Sequence, residues 1–469
     1  MVVTDICEKV GVVMYNLVYI NTHDTGRMIS PYGVQVPTEN LKAFAKDATL
    51  FTRAYCCGPT CSPSRASMLT GTYPHQNGML GLAQRGFSLN DPKQHLAHHL
   101  KSNGYQTALS GIQHETGWYL DMNKEALHQL GYETILTESS EGYQKEDLHI
   151  WDQKNVEAAI SWLAMLDKDK PFMLSYGMHS THRPYPVVVD ESIDENYVQP
   201  LFPLDSNKVT RHDQAQFLTS AKHADENVAL LIEALKKYNL YDNTVIIYTT
   251  DHGVANPFHK CSLKDNGIGI SLIIRHPQKG HGKVYDHLIS HVDVLPTLCD
   301  MLGVHKPDYL EGLSYAEIFE ESNKVVRDEI FAEVNFHTSY EPMRCIRNKR
   351  YKYICCYDKS WVKLNLSNID ESPSKAYLME YGLAEMTKPM EALYDCMYDP
   401  HETNNLIEDE ELQEVLGQLK KKLHEHMVRT NDPLLKGPLE IKKHYKVNKV
   451  NCLTASSKNP EDYDPRGRV

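Results

Sequence analysis

Four short apolar runs each end in polar side chains able to hold a ligand. Leu17-Val18-Tyr19-Ile20 runs out into Asn21-Thr22-His23-Asp24, and Val245-Ile246-Ile247-Tyr248 into Thr249-Thr250-Asp251-His252-Gly253. Phe172-Met173-Leu174-Ser175-Tyr176 leads to His179 and His182, and the run from Tyr105 to Ser110 leads through Gly111 to His114. Runs this short and this apolar read as strands buried on both faces, the pattern of a parallel sheet. In open α/β sheets, ligands bind at the edge where the strands end. Four exits of one kind therefore predict one site on one edge of one sheet.

Helical patterns alternate with these runs. From Phe217, the apolar residues Ala221, Ala224, Val228, Leu231, Ile232 and Leu235 recur at helical spacing, as do Leu412, Val415, Leu416, Leu419 and Leu423 later. The fold class is α/β with a large, mostly parallel sheet. Around residue 330 the texture changes: Met343 to Tyr357 is rich in Arg, Lys and Tyr and reads as hairpin strands. The expected division is a catalytic α/β domain over residues 1–330 and a smaller α+β unit over 331–469, ending past Lys436 in a polar tail.

Composition narrows the function. Lys plus Arg number 49 against 62 Asp plus Glu, a net charge of −13. That balance argues against nonspecific binding of nucleic acid or an anionic membrane, while leaving room for a local cationic pocket. No stretch approaches the roughly 20 apolar residues of a membrane helix. Asp5 and Glu8 stand where a secretory signal would be basic, and the eleven cysteines follow no regular spacing. A reducing, cytoplasmic setting is expected, unless a signal has been trimmed. The lack of a G-x-S-x-G elbow and of a Walker A loop argues against a serine hydrolase and a P-loop NTPase.

The most informative stretch is Cys57-Gly58-Pro59-Thr60-Cys61-Ser62-Pro63-Ser64-Arg65, continuing to Leu69-Thr70-Gly71. Ser62 can cap a helix with Pro63 at its first position. Cys61 then stands just before a helix N-terminus, a place that attracts anions and lowers a thiol's pKa, and Arg65 adds a fixed charge one turn on. The same residues also read as a buried cysteine before an ordinary capped helix. Cys56, Cys57 and Cys261 lack the paired spacing of a zinc site. His75 and His179 read as structural groups.

Cys61-Ser62-Pro63-Ser64-Arg65 with Leu69-Thr70-Gly71 resembles the signature of the sulfatase family, in which the cysteine is oxidised to Cα-formylglycine. Asp251-His252-Gly253 is similar to that family's second metal motif, and Lys260 to Gly267 to its lysine-bearing loop. His291 to Thr297 is similar to its late strand-to-helix junction, and Leu393 to Leu406 to its C-terminal motif. Five motifs in family order span nearly the whole chain. His337 to Arg344, Asp399 to Thr403 and Arg429 to Pro433 resemble the N-sulfoglucosamine sulfohydrolase (sulfamidase) branch.

The resemblance implies an alkaline-phosphatase-like α/β sandwich with a large central sheet and a smaller C-terminal α+β domain. It implies hydrolysis of a sulfate ester or sulfamate on a sugar, with N-sulfoglucosamine of heparan type as the sugar of this branch. A formylglycine-generating enzyme would mature Cys61, and the aldehyde hydrate would attack sulfur with one hydroxyl and expel sulfate with the other. Asp24, Asp251, His252 and the oxygen at position 61, with His23, are the implied ligands of a divalent metal. The carboxylates suit calcium, and the histidines shift the balance toward manganese or another transition metal. His114 and Arg65 are implied to organise the nucleophile, and Lys260 and His182 to contact the sulfate or protonate the leaving atom. His337 and Arg344 are expected to line the sugar pocket. Two positions depart from the family pattern: His23-Asp24 replaces an Asp-Asp pair, and Ile112 stands where a lysine is common. They motivate two other readings, a phosphodiester or phosphonate monoester hydrolase of the same superfamily and an unmatured protein that only binds sulfated glycans.

Overall fold

Every residue of β1 (Asn16–Thr22) is buried, because the strand is covered on both faces. Leu17 and Tyr19 enter one core while Val18 and Ile20 enter the other. Successive side chains of a strand point to opposite faces, so an unbroken apolar run is what a doubly covered strand requires. Each such side chain contributes roughly 1.5–3 kcal/mol of burial free energy. The computed structural model describes residues 14–117, 120 and 123–467. The acidic stretch around Asp5 and Glu8 lies outside the described residues.

Among the described residues, nine further strands follow before residue 300: β2 (Thr49–Phe51), β3 (Ala54–Tyr55), β4 (Gln106–Gly111), β5 (Thr134–Ile135), β6 (Phe172–Gly177), β7 (Thr244–Thr250), β8 (Leu272–Arg275), β9 (Lys283–Tyr285) and β10 (Ile289–Ser290). Eight of the ten form one sheet in the order β5-β4-β6-β1-β7-β8-β2-β9, and β3 pairs with β10 apart from it. Strands β5, β4, β6, β1 and β7 run parallel, and β8 alone opposes its neighbours. The four runs singled out in the sequence are β4, β6, β1 and β7, adjacent and co-directional, so their C-terminal ends meet on one edge.

Helices cover both faces. Glu39–Ala45, Leu148–Leu163 and Lys208–Lys237 pack on the Val18/Ile20 side. Cys61–Thr70, Leu96–Ser102 and Val294–Leu302 pack on the other. The 30-residue Lys208–Lys237 helix starts at a capping box, in which the Asn207 side chain accepts from the backbone of Val209 and Thr210 while Thr210 accepts from Asn207 N–H.

The last strands, β11 (Glu329–Phe336), β12 (Tyr340–Asn348), β13 (Tyr351–Cys356) and β14 (Glu391–Asp395), form an antiparallel meander. The Gln413–Arg429 helix packs on it through Leu416, Leu419, Leu423 and Met427, within the same core as β1. The segment past Lys436, read as a polar tail, buries Tyr445, Val447, Cys452 and Tyr463. It returns across the sheet edge where the four strands end. No described helix is long and apolar enough to cross a membrane.

Candidate active site

The β1 exit carries His23 and Asp24, and the β7 exit carries Asp251 and His252; all four are fully or almost fully buried. Asp24 adopts a left-handed backbone with φ 57°, uncommon for a residue with a side chain. Its N–H donates to Asp251 Oδ1 at 2.9 Å, which ties the two exits together. Two glycines permit other close backbone approaches along this edge. A Cβ on Gly253 would lie 1.9 Å from Asn266 O, and one on Gly111 would lie 2.0 Å from Gly177 O, with Gly111 also at φ +80°.

The Cys61–Thr70 helix aims its first residue at this pair. Cys61 Sγ stands 3.5 Å from His252 Nε2 and 4.0 Å from Asp24 Oδ1. Arg65, one turn on, donates from Nε to Asp251 Oδ2 at 3.2 Å. Ser64 Oγ binds Asp251 O and sits 3.1 Å from His291 Nδ1. The helix begins at Cys61, after Thr60, rather than after Ser62. Ser62 does not cap it, because its hydroxyl accepts from Ala83 N–H at 3.0 Å instead. The expected lowering of the Cys61 thiol pKa is also reversed. Burial pushes it well above the ordinary thiol range, and Asp24 and Asp251 add to that against Lys260 and Arg65.

Lys260 bridges two carboxylates, Asp24 Oδ2 at 2.9 Å and Asp370 Oδ2 at 2.8 Å. Burial opposes its charge, but Asp24 and Asp370 outweigh it and hold the ammonium well above the usual lysine range. His182 Nε2 lies 3.8 Å from Asp24 Oδ2. The His23 ring meets His114 edge-on at 4.7 Å and His182 at 4.4 Å. Burial lowers the pKa of His23, His114 and His182, with Lys260 adding to it in each case. The cluster is thus built of neutral imidazoles around fixed charges.

Asp24, Cys61, Asp251 and His252 offer ligand atoms that all lie within 4.8 Å of one another, and His23, Asp24, Cys61 and His182 form an overlapping group. His23 Nδ1 and Nε2 are buried without a hydrogen bond, the state of donors waiting for another partner. Two buried carboxylates beside imidazole nitrogens fit a divalent cation.

A cavity of about 340 Å³ opens above Cys61. His337, just past β11, is buried and lines it. Arg344 does not, and this corrects the expectation that it touches a sugar. It is buried within β12, and its guanidinium forks onto Asp432, with Nη2 to Oδ1 at 2.9 Å. Ile112 packs with Leu148 and Trp151 away from the charges. His179, read as structural, lines the cavity. Sequence reasoning missed Asp370 on Lys260, Arg85 in the wall, and Lys446 and Lys458 of the tail at the mouth. It also missed Asp152, whose carboxylate accepts from His179 N and Ser180 N at 2.7 and 2.9 Å and so shapes the β6 exit.

The description "Sulfatase" belongs to the family model that matches residues 15–304, and "N-sulphoglucosamine sulphohydrolase, C-terminal" to one that matches residues 252–377. An ulvan-active sulfatase of Formosa agariphila is 28% identical, covering 93% of this chain and 83% of its own. The human N-sulphoglucosamine sulphohydrolase is 24% identical, covering 86% and 88%. A structure solved in complex with its substrate D-glucosamine-2-N,6-O-disulfate superimposes with a TM-score of 0.66 at 19% identity, covering 91% of this chain and 99% of its own.

Proposed function

The chain belongs to the sulfatase family, hydrolases of sulfate esters or sulfamates, and from that premise we propose that it removes sulfate from a sulfated sugar of N-sulfoglucosamine type. The observation that carries the proposal is the position of Cys61, buried at the start of its helix between Asp24 and His252, with Arg65 and Lys260 close by. A thiol held protonated there by burial is a poor nucleophile, so the chemistry calls for a different group at this position, the Cα-formylglycine that a maturating enzyme would make. The aldehyde hydrate supplies two hydroxyls, one to attack sulfur and one to release sulfate.

Asp24, Asp251, His252 and the oxygen at position 61, with His23 beside them, would hold the divalent cation, calcium by its carboxylates or manganese by its imidazoles. Once bound, it would polarise a sulfuryl oxygen and orient the nucleophile. Arg65 fixes Asp251, and Lys260 places positive charge where the sulfuryl oxygens gain negative charge. His182 and His114, neutral in the free site, sit where a proton can pass to or from the leaving atom. The C-terminal family match supports the sulfamate reading. The division at residue 330 and a reducing, cytoplasmic setting belong to the same proposal.

Release of inorganic sulfate from N-sulfoglucosamine, compared with sugars sulfated only on oxygen, tests the assignment. Turnover of the O-sulfated sugars alone would move the protein out of the sulfamidase branch. His23 in place of a carboxylate favours a second reading, hydrolysis of a phosphonate monoester. An aryl phosphonate turned over faster than the matching aryl sulfate would establish that instead.

A further inference from the structure

Six arginines are buried in the described structure: Arg65, Arg85, Arg183, Arg275, Arg344 and Arg347. Five hold a carboxylate, respectively Asp251, Asp213, Asp47, Asp432 and Asp265. Arg85, 8% exposed, holds none among the described residues. A buried cation without a counter-ion is costly, and an anionic ligand that paired with it would offset that cost.

Arg85 stands in the cavity wall above Cys61. Its loop is anchored to the catalytic helix by the Ala83 N–H to Ser62 bond. Its guanidinium is held only by neutral acceptors. Nη1 donates to Lys446 O at 3.0 Å, Asn448 Oδ1 at 3.1 Å and Thr338 O at 3.4 Å, and Nη2 to Ala455 O at 2.5 Å. These bonds strap the C-terminal segment over the cavity, and Lys446 and Lys458 then line its mouth. Neither lysine is ion-paired in the described structure, and both are exposed. Among the described residues lining the cavity, the one carboxylate, Asp370, is already taken by Lys260. Burial without a countercharge lowers the Arg85 pKa to about 10, so the group stays charged at neutral pH. A chain of net charge −13 thus concentrates three uncompensated cations around the entrance to its site.

The sulfate to be cleaved meets Lys260, Arg65 and the cation site, and it does not need these three. We infer that Arg85, Lys446 and Lys458 form a separate subsite for a second anionic substituent on the sugar, a carboxylate or another sulfate, so that the substrate is a polyanionic saccharide. The inference rests on the sulfated-sugar reading above.

The test is equilibrium binding by calorimetry to the full chain with Cys61 left unconverted, so that no turnover intervenes. The probes are N-sulfoglucosamine, glucosamine with N- and O-sulfates, and a disaccharide joining N-sulfoglucosamine to a uronate. A second anion is expected to tighten Kd by about tenfold, the gain from one or two partly screened charge pairs. Whichever arm shows the gain identifies the anion as sulfate or carboxylate. The gain should collapse in K446A/K458A, which keeps every contact of Arg85, and in R85Q. Should R85Q unfold, the double lysine variant still decides the matter. Equal affinities for all three probes, binding of none, or a gain that survives in K446A/K458A overturns the inference. A charge-dependent gain in a matured protein that releases no sulfate from any probe would leave the subsite standing and sink the sulfatase proposal.

Discussion

Lys260 shows how much one residue can depend on distant chain. Alone in sequence it reads as a solvated lysine; in the fold it is the counter-ion of both Asp24 and Asp370. Lys260→Ala is expected to lower kcat/KM for the sulfated substrate by about 100-fold or more, the usual cost of removing a donor aimed at developing charge. A Tm within a few degrees of wild type would show that the loss is not unfolding. Arg344 predicts the opposite pattern. Its pair with Asp432 is sealed from solvent, so Arg344→Met leaves a buried carboxylate alone and should cost about 3–5 kcal/mol by denaturant titration. The KM for the sugar should not move, because Arg344 does not line the cavity. Lys260 was legible only through the resemblance of Lys260 to Gly267 to a family loop, and the role of Arg344 was not legible at all. β12 is buried on both faces, so strand parity does not say which way an arginine on it points. The thiol of Cys61 was misjudged for a related reason: the helix-end argument is local, while burial and two facing carboxylates are tertiary.

At the scale of elements, the four strand exits were legible and the tail was not. An apolar run buried on both sides announces itself, and the residues that follow it must emerge at the sheet edge. The tail announces nothing. Its hold on the site runs through Arg85, whose partner Lys446 is 361 residues away in sequence, and through backbone carbonyls, which any residue supplies. Asp370 was hidden in the same way, in a polar loop where an aspartate is ordinarily solvated. The Lys208–Lys237 helix was found by its apolar spacing, and its start is fixed by Asn207. Asn207→Ala should cost about 1 kcal/mol. That would appear as a fall of a degree or two in Tm for a chain this size, and no change in Tm would mean the box is idle.

For the whole molecule, buried neutral histidines set the acid limit. His95 and His426 are each pushed down to about 3, chiefly by burial. Each Nδ1 accepts a hydrogen bond, from Ala97 N and from Arg429 Nη2 respectively, which a protonated ring cannot do at that atom. Their folded pKa lies below the unfolded value near 6.5. The unfolded chain therefore binds more protons than the fold between these limits, and stability is lost as pH falls from about 6.5 toward 3, by up to about 1.4 kcal/mol per pH unit for each histidine. Tm measured from pH 8 to pH 4 should fall steadily below pH 6.5, and less steeply in His95→Gln; a flat profile would contradict this.

Everything proposed for this site turns on Cys61 becoming its nucleophile, between the β1 and β7 exits. That is tested most directly by the mass of the peptide containing Cys61, from protein made with a formylglycine-generating enzyme, read beside sulfate release by the same sample. A loss of roughly 18 Da, thiol to aldehyde, is expected in proportion to activity. A thiol left intact while a control sulfatase is converted in the same cells, or full sulfate release from unconverted protein, would contradict it.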